Sequence, residues 1–119
     1  MHELGIASSI LETVQAEARK HGCARPSRVG LRIGELTAVD PEALRFAFQA
    51  LTRDTDLEHL ALDIEACPRR HRCCACAAVF EVKNFEFACP RCGAARTECI
   101  GGDELEFAYL EVEDESRST

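Results

Sequence analysis

Two cysteine pairs constrain this chain more than any other feature. Cys73-x2-Cys76 and Cys89-x2-Cys92 are separated by twelve residues, a spacing that folds two short turns onto one tetrahedral metal. Each Cys-x-x-Cys turn brings two thiolates to the same point, and Pro90 and Gly93 give the second pair the backbone chemistry of a tight turn. Sulfur ligands select Zn²⁺ or iron over Mg²⁺ and Ca²⁺. Four protein ligands close the coordination sphere, so the predicted site is structural, a zinc ribbon or its rubredoxin-like iron counterpart, with no open position for catalysis. Two disulfides are the alternative, and a reducing compartment argues against them.

The rest of the sequence points to that compartment. The chain has 119 residues, enough for one ordinary domain or two very small ones. No segment reaches the roughly 18 apolar residues of a membrane span. His2 and Glu3 stand where a secretory signal carries basic residues, and Leu4 to Val14 is interrupted by Ser8, Ser9 and Glu12. A cytoplasmic protein without membrane partners is therefore expected, in which paired cysteines bind metal. Eight cysteines are present, so Cys23, Cys67, Cys74 and Cys99 lie outside the proposed site. Cys67 and Cys99 flank it, and read as buried thiols first and as a reversible disulfide pair second.

The formal net charge is −7, which weighs against nucleic acid, because a basic surface is needed to displace counterions from phosphates. The basic cluster Arg69, Arg70 and Arg72 reads as a solvated loop. There is no Ser/His/Asp set and no glycine-rich phosphate loop, so no enzyme is expected.

Periodicity supplies the elements. Leu4, Ala7, Ile10, Leu11, Val14 and Ala18 recur at helical spacing, and His21-Gly22 stops that helix. Arg28 to Leu36 alternates as a half-buried strand, in which Gly30 and Gly34 either weaken the strand or mark close approach of another backbone. Asp40-Pro41 starts a second helix, with Leu44, Ala47, Phe48 and Leu51 on its apolar stripe and Phe46 on its flank. Leu60, Leu62 and Ile64 alternate as a second strand, and Leu105, Phe107 and Tyr109 as a third. Between them Val79, Phe80, Val82, Phe85 and Phe87 are too few for a core, so metal must supply most of the folding energy there. The expected fold is α+β: a small three-stranded mixed sheet with two helices packed on it, formed by residues 1–66 and 104–115. The cysteine module, residues 67–103, is inserted between strands.

The first three residues, Met1-His2-Glu3, carry a second set of donors. A histidine at position 2 is most often inert. A large residue there is nonetheless expected to preserve Met1 and its α-amine. That amine, the backbone nitrogens of His2 and Glu3 and the His2 imidazole surround one point. Square-planar nitrogen sites suit Ni²⁺ or Cu²⁺, and binding must displace protons.

With MHELGIASSILETV at the start, VGLRIGELTAVDPEALRFAF in the middle, the Cys73/Cys76/Cys89/Cys92 ribbon with CPRCG, and GGDELEFAYLEVE near the end, the chain resembles the HypA/HybF family of hydrogenase nickel-incorporation proteins. The resemblance covers nearly the whole chain. It implies a cytosolic nickel metallochaperone, a monomer or weak homodimer, that delivers Ni²⁺ to the large subunit of [NiFe]-hydrogenase. The partner it implies is a HypB-type GTPase, with urease maturation proteins as further partners in some organisms. It implies that His2 binds nickel, with Met1 and Glu3 contributing, and that Cys73, Cys76, Cys89 and Cys92 hold structural zinc. Asp40 matches a family position near the nickel, but its place before Pro41 reads as a helix cap first. Two departures stand out. Cys74 sits inside the first cysteine turn, and neither pair contains a histidine, the nearest being His71. The competing reading is a zinc-ribbon adaptor with no nickel function.

Overall fold

The computed structural model describes residues 3–22 and 25–113. Helix α1, Glu3–Lys20, buries Ala7, Ile10, Val14 and Ala18, one stripe at spacings of three and four. Leu4, expected on that stripe, is 57 % exposed, so the stripe begins one turn later. Glu3 in the first turn and Arg19 and Lys20 in the last suit the helix dipole. Gly22 takes a left-handed φ of 73°, ending the helix as its position predicted.

Strand β1 runs Arg25–Gly34, starting earlier than its alternation suggested and ending two residues sooner. Glu35–Thr37 forms a short 3-10 turn instead, closed by the Thr37 hydroxyl donating to the Gly34 carbonyl at 2.8 Å. Helix α2, Pro41–Thr52, opens on Asp40, whose Oδ1 accepts the Glu42 N–H at 3.0 Å. Its buried residues are Leu44, Ala47, Phe48 and Thr52. Leu51, expected on that stripe, is 37 % exposed; the buried row runs Leu44-Phe48-Thr52 instead, and the buried Thr52 hydroxyl is satisfied by donating to the Phe48 carbonyl at 2.9 Å. Phe46 projects outward, 75 % exposed.

Strand β2, Ala61–Cys67, and strand β6, Leu105–Glu113, flank β1 in one three-stranded sheet of order β2-β1-β6. Val29, Leu31 and Ile33 of β1 are buried. The two β1 glycines mark close approach. A Cβ on Gly30 would fall on the Tyr109 ring, and one on Gly34 would fall on the Gly102 backbone. Tyr109 of β6 thus lies across β1, and its hydroxyl donates to Asp63 of β2. Arg28 donates to the other Asp63 oxygen at 3.0 Å.

The second sheet has order β4-β3-β5, formed by β3 (Arg70–Cys73), β4 (Val79–Glu81) and β5 (Thr97–Gly101). Both pairings are antiparallel. The chain divides into two compact units. One comprises the residues up to Leu31, Val39–Glu65 and the residues from Glu106 onward; the other comprises Arg32–Ala38 and Ala66–Leu105. In the second unit Val82 is buried, whereas Val79, Phe85 and Phe87 are 54 %, 86 % and 37 % exposed. A unit with so little buried hydrocarbon needs another source of cohesion. No described helix is long and apolar enough to cross a membrane.

Candidate metal centre

Strand β3 carries the chain to Cys73, where it turns. The Cys73 N–H donates to the Ala78 carbonyl at 2.9 Å, and the Ala77 N–H donates to the Cys73 carbonyl at 3.0 Å. The second turn repeats this pattern, from Cys89 N–H to the Ala94 carbonyl at 2.9 Å and from Gly93 N–H to the Cys89 carbonyl at 2.8 Å. Ala77 and Gly93, at matching places, are both left-handed, with φ of 64° and 78°. Glycine accepts that conformation freely and alanine does not. Two nearly equivalent hairpin turns therefore face each other, each with its first cysteine buried and its second exposed.

The four sulfurs of Cys73, Cys76, Cys89 and Cys92 lie within 4.8 Å of one another. Cys73 and Cys92 sulfurs are 3.5 Å apart, and Cys76 and Cys89 sulfurs 3.6 Å. A zinc tetrahedron with bonds of about 2.3 Å has edges of roughly 3.8 Å, so the sulfur set is the right size. Backbone N–H groups aim at the inner sulfurs. Those of Cys76 and Ala75 reach Cys73 at 3.4 and 3.3 Å and, Cys76 first, hold its thiol down at about 6. Cys89 is lowered by the N–H groups of Cys92 and Arg91. At Cys92 the Ala94 N–H also favours the thiolate, but the neighbouring Cys73 sulfur, burial and the other two sulfurs outweigh it and hold the thiol up at about 11. Four thiolates this close repel unless a cation sits among them, so the cluster could bind zinc and suits a soft divalent ion. Cys74, inside the first turn, is exposed and outside the cluster. Its N–H donates to the Arg96 carbonyl at 3.1 Å, which directs it along the backbone pairing rather than toward the metal position. Cys67 is buried and Cys99 exposed, with the Cys99 thiol directed at the Gly101 carbonyl.

Behind the sulfurs lies a residue that the sequence reading left without a role. His71 is 5 % exposed and shares the inward parity of Cys73 on β3. Arg69 Nε–H donates to His71 Nε2 at 2.8 Å. The ring proton is therefore on Nδ1, which donates to Thr97 Oγ1 at 2.9 Å. The Thr97 hydroxyl in turn donates to the Phe87 carbonyl at 2.7 Å. Burial, and then the charge of Arg69, push the His71 pKa down, so the imidazole stays neutral. Its ring stacks on Phe87 at 5.6 Å and 18°, and the Arg69 guanidinium covers Phe87 at 4.7 Å. His71 stands two residues before Cys73 and Phe87 two before Cys89. The stack thus braces one cysteine turn against the other. The alternation Arg70-His71-Arg72-Cys73 was the signal available for this, since it places His71 on the same side of the strand as a ligand.

Met1 and His2 lie outside the described residues. Glu3 and Asp40 are brought together. The Glu3 carboxylate accepts the Asp40 N–H at 3.2 Å, and that bond, followed by one from its own N–H, holds its pKa below the usual carboxylate value. Asp40 meanwhile uses its own carboxylate as the α2 cap.

The sequence model of a family described as "Hydrogenase/urease nickel incorporation, metallochaperone, hypA" matches residues 1–112. The Hydrogenase maturation factor HypA of Geobacter metallireducens is 42 % identical over 113 residues, covering 95 % of this chain and all of the relative. That of Roseiflexus sp. is 41 % identical over 117 residues, covering 98 % and 95 %. The solution structure of the Ni metallochaperone HypA from Helicobacter pylori superposes with a TM-score of 0.62 at 25 % identity, covering 94 % of this chain and 97 % of that one. A second structure, titled "Solution structure of HypA protein", reaches 0.68, also at 25 % identity, covering 95 % and 97 %. The family's work is metal incorporation, not catalysis of a reaction on a substrate, and this chain belongs to it: it is a member of the HypA family of hydrogenase/urease nickel-incorporation metallochaperones.

Proposed function

We propose that this chain binds Ni²⁺ through its N-terminus and delivers it in the cytoplasm to the large subunit of [NiFe]-hydrogenase, with a HypB-type GTPase as partner. In this reading the cargo ligands are the Met1 amine, the backbone nitrogens of His2 and Glu3, and the His2 imidazole. The observation that carries the reading is the family match beginning at residue 1, and the hydrogen bond from Asp40 to Glu3 supports it. That bond anchors the residue directly after His2 to the start of α2. It gives a terminal site a fixed base while leaving its metal exchangeable. The carboxylates of Glu3 and Asp40 also add negative potential that attracts a cation.

Zinc takes the other role, held by Cys73, Cys76, Cys89 and Cys92. Its chemistry there is cohesion: it neutralises close thiolates and ties two turns together in a unit with little apolar core. The two metals would thus be separated by purpose as well as by ligand type, with sulfur for the resident ion and nitrogen for the cargo.

The test is calorimetric titration of Ni²⁺ into tag-free protein with native Met1, beside His2→Ala, with zinc measured in both. Nickel bound by wild type and lost in His2→Ala, with zinc unchanged, supports the proposal. Equal nickel binding by both proteins, or none, sinks the N-terminal site and leaves a zinc-ribbon adaptor as the better account.

A further inference from the structure

We propose that the unit holding both helices carries a docking groove for an arginine side chain of a partner protein, set between the flank of α1 and the loop that follows α2. Helical spacing puts Leu11 and Leu51 on the stripes expected in the core. Neither is fully covered: Leu11 is half-buried and Leu51 is 37 % exposed. With buried Leu57 they form the apolar lining of a groove of about 220 Å³. Ser8, Leu11, Glu12 and Gln15 supply one wall. They recur at i, i+3, i+4 and i+7, which is one flank of a helix. The opposite wall is the loop Thr55-Asp56-Leu57, whose shape is set by its own bonds. The Thr55 hydroxyl donates to the Thr52 carbonyl at 2.6 Å and accepts the Leu57 N–H at 3.1 Å. The Glu58 carboxylate accepts the Asp54 N–H at 2.7 Å. The groove therefore stands before anything enters it.

Charge and size select the occupant. The ionisable residues lining the groove are Glu12 and Asp56, with no lysine, arginine or histidine among them. Neither carboxylate has a hydrogen-bond or ion-pair partner among the described residues, so both are open to an incoming cation. They do not make a metal site, because among the described residues the groups of three or more metal-ligating side chains reduce to the four cysteines. A groove smaller than the roughly 300–1,000 Å³ of small-molecule sites holds one long side chain. Arginine fits both halves of it. Its methylene stem covers Leu11, Leu51 and Leu57, and its planar fork of N–H donors meets two carboxylates, the Gln15 amide oxygen and the Ser8 hydroxyl. A second copy brings the wrong sign, since two chains of −7 repel. The groove excludes Met1, His2 and Glu3. Leu11 stands eight residues after Glu3 on the same helix, about 12 Å along its axis. A partner held there is brought near the terminal cargo site while the ligands of that site stay free. That last step rests on the nickel reading given above; the docking itself does not.

The test is an NMR titration of the isotope-labelled, zinc-loaded full chain, without nickel, with the peptide acetyl-Leu-Arg-Ala-Leu-amide. Two control peptides carry lysine or glutamate in place of the arginine. The expected result is saturable shifts centred on the amides of Leu11, Glu12, Gln15, Leu51 and Asp56, with a Kd of about 1 mM or tighter. The lysine peptide should bind about threefold or more weakly, because it lacks the fork, and the glutamate peptide should leave these amides unmoved. Glu12→Gln combined with Asp56→Asn keeps the shape of the groove and removes its charge. That variant should bind the arginine peptide at least about tenfold more weakly, with the thermal midpoint and the nickel titration of the wild type. Equal binding of the arginine and glutamate peptides overturns the proposal, as do shifts centred elsewhere, no shifts, or unchanged affinity in the double variant. The same shifts on concentrating the protein alone would place a second copy in the groove, and overturn it too. Because no nickel is present, each outcome is independent of the fate of the N-terminal site.

Discussion

Replacing His71 by phenylalanine isolates what the buried imidazole contributes to the metal unit. The ring is retained, so the stack on Phe87, now at 5.6 Å, can persist and no large void opens. What disappears are two hydrogen bonds, from Arg69 at 2.8 Å and to Thr97 at 2.9 Å. A neutral buried bond contributes about 1 kcal/mol net, and one to a charged group about 1.5–3 kcal/mol. Arg69 is half-buried, so water recovers part of its loss, and Thr97 keeps the Phe87 carbonyl as acceptor. The expected loss is therefore about 1–3 kcal/mol. Because metal binding and folding of such a unit are one equilibrium, that loss should appear as an about 5- to 150-fold weaker apparent zinc affinity. His71→Ala adds a cavity where the ring was, for a total of about 3–5 kcal/mol. The assay is competition for zinc against a chromogenic chelator, with thermal unfolding of the loaded proteins alongside. If His71→Phe holds zinc as tightly as wild type, water satisfies Arg69 and Thr97 and the hydrogen-bonded brace is not what fixes the cysteine turns.

Three further outcomes follow from named geometry. Ala77→Gly relieves a left-handed alanine at φ 64° and should stabilise the zinc-loaded protein by about 0.5–1 kcal/mol, while Gly93→Ala should destabilise it by about 1–2 kcal/mol, both read from denaturant unfolding. Asp40→Ala removes the cap on the Glu42 N–H and should lower stability by about 1 kcal/mol, whereas Asp40→Asn should stay within about 0.5 kcal/mol because Asn caps as well. Nickel affinity that falls in Asp40→Asn at unchanged stability would show a cargo role beyond capping. The Tyr109–Asp63 pair predicts a pH window. The Tyr109 hydroxyl first, and Arg28 with it, lowers the Asp63 pKa from its ordinary 3.8. That contribution is present above 3.8 and is lost as pH falls through the lowered value. Asp63 raises the Tyr109 pKa from its ordinary 10.0, so this contribution is present below 10.0 and is lost as pH rises through the raised value. The stability gap between wild type and Tyr109→Phe should therefore be widest between those limits and close toward both extremes. A gap independent of pH would mean that the hydroxyl contributes nothing through Asp63.

Features that depend on neighbours along the chain are legible in the residues alone. The periodic stripe of α1, the Asp40-Pro41 start of α2 and the Gly22 stop follow from residues within a turn of one another. The cysteine spacing acts in the same way, since Cys-x-x-Cys is a local chelate. Features that depend on residues distant in sequence emerge only when the chain folds. The alternation of Leu105, Phe107 and Tyr109 correctly signals a strand, yet β6 lies at the sheet edge and these residues stay 47 %, 36 % and 41 % exposed. Periodicity gives the faces of a strand but not what covers them. Gly30 could be read as a weak point or as a close approach; the Tyr109 ring, reaching over it to Asp63 from 46 residues away, decides between the two. His71 gains its role only when Thr97, 26 residues later, closes beside it. Burial of a polar ring is tolerable only where partners from other strands satisfy it, and those partners are supplied by the folding of the chain, not by its local order.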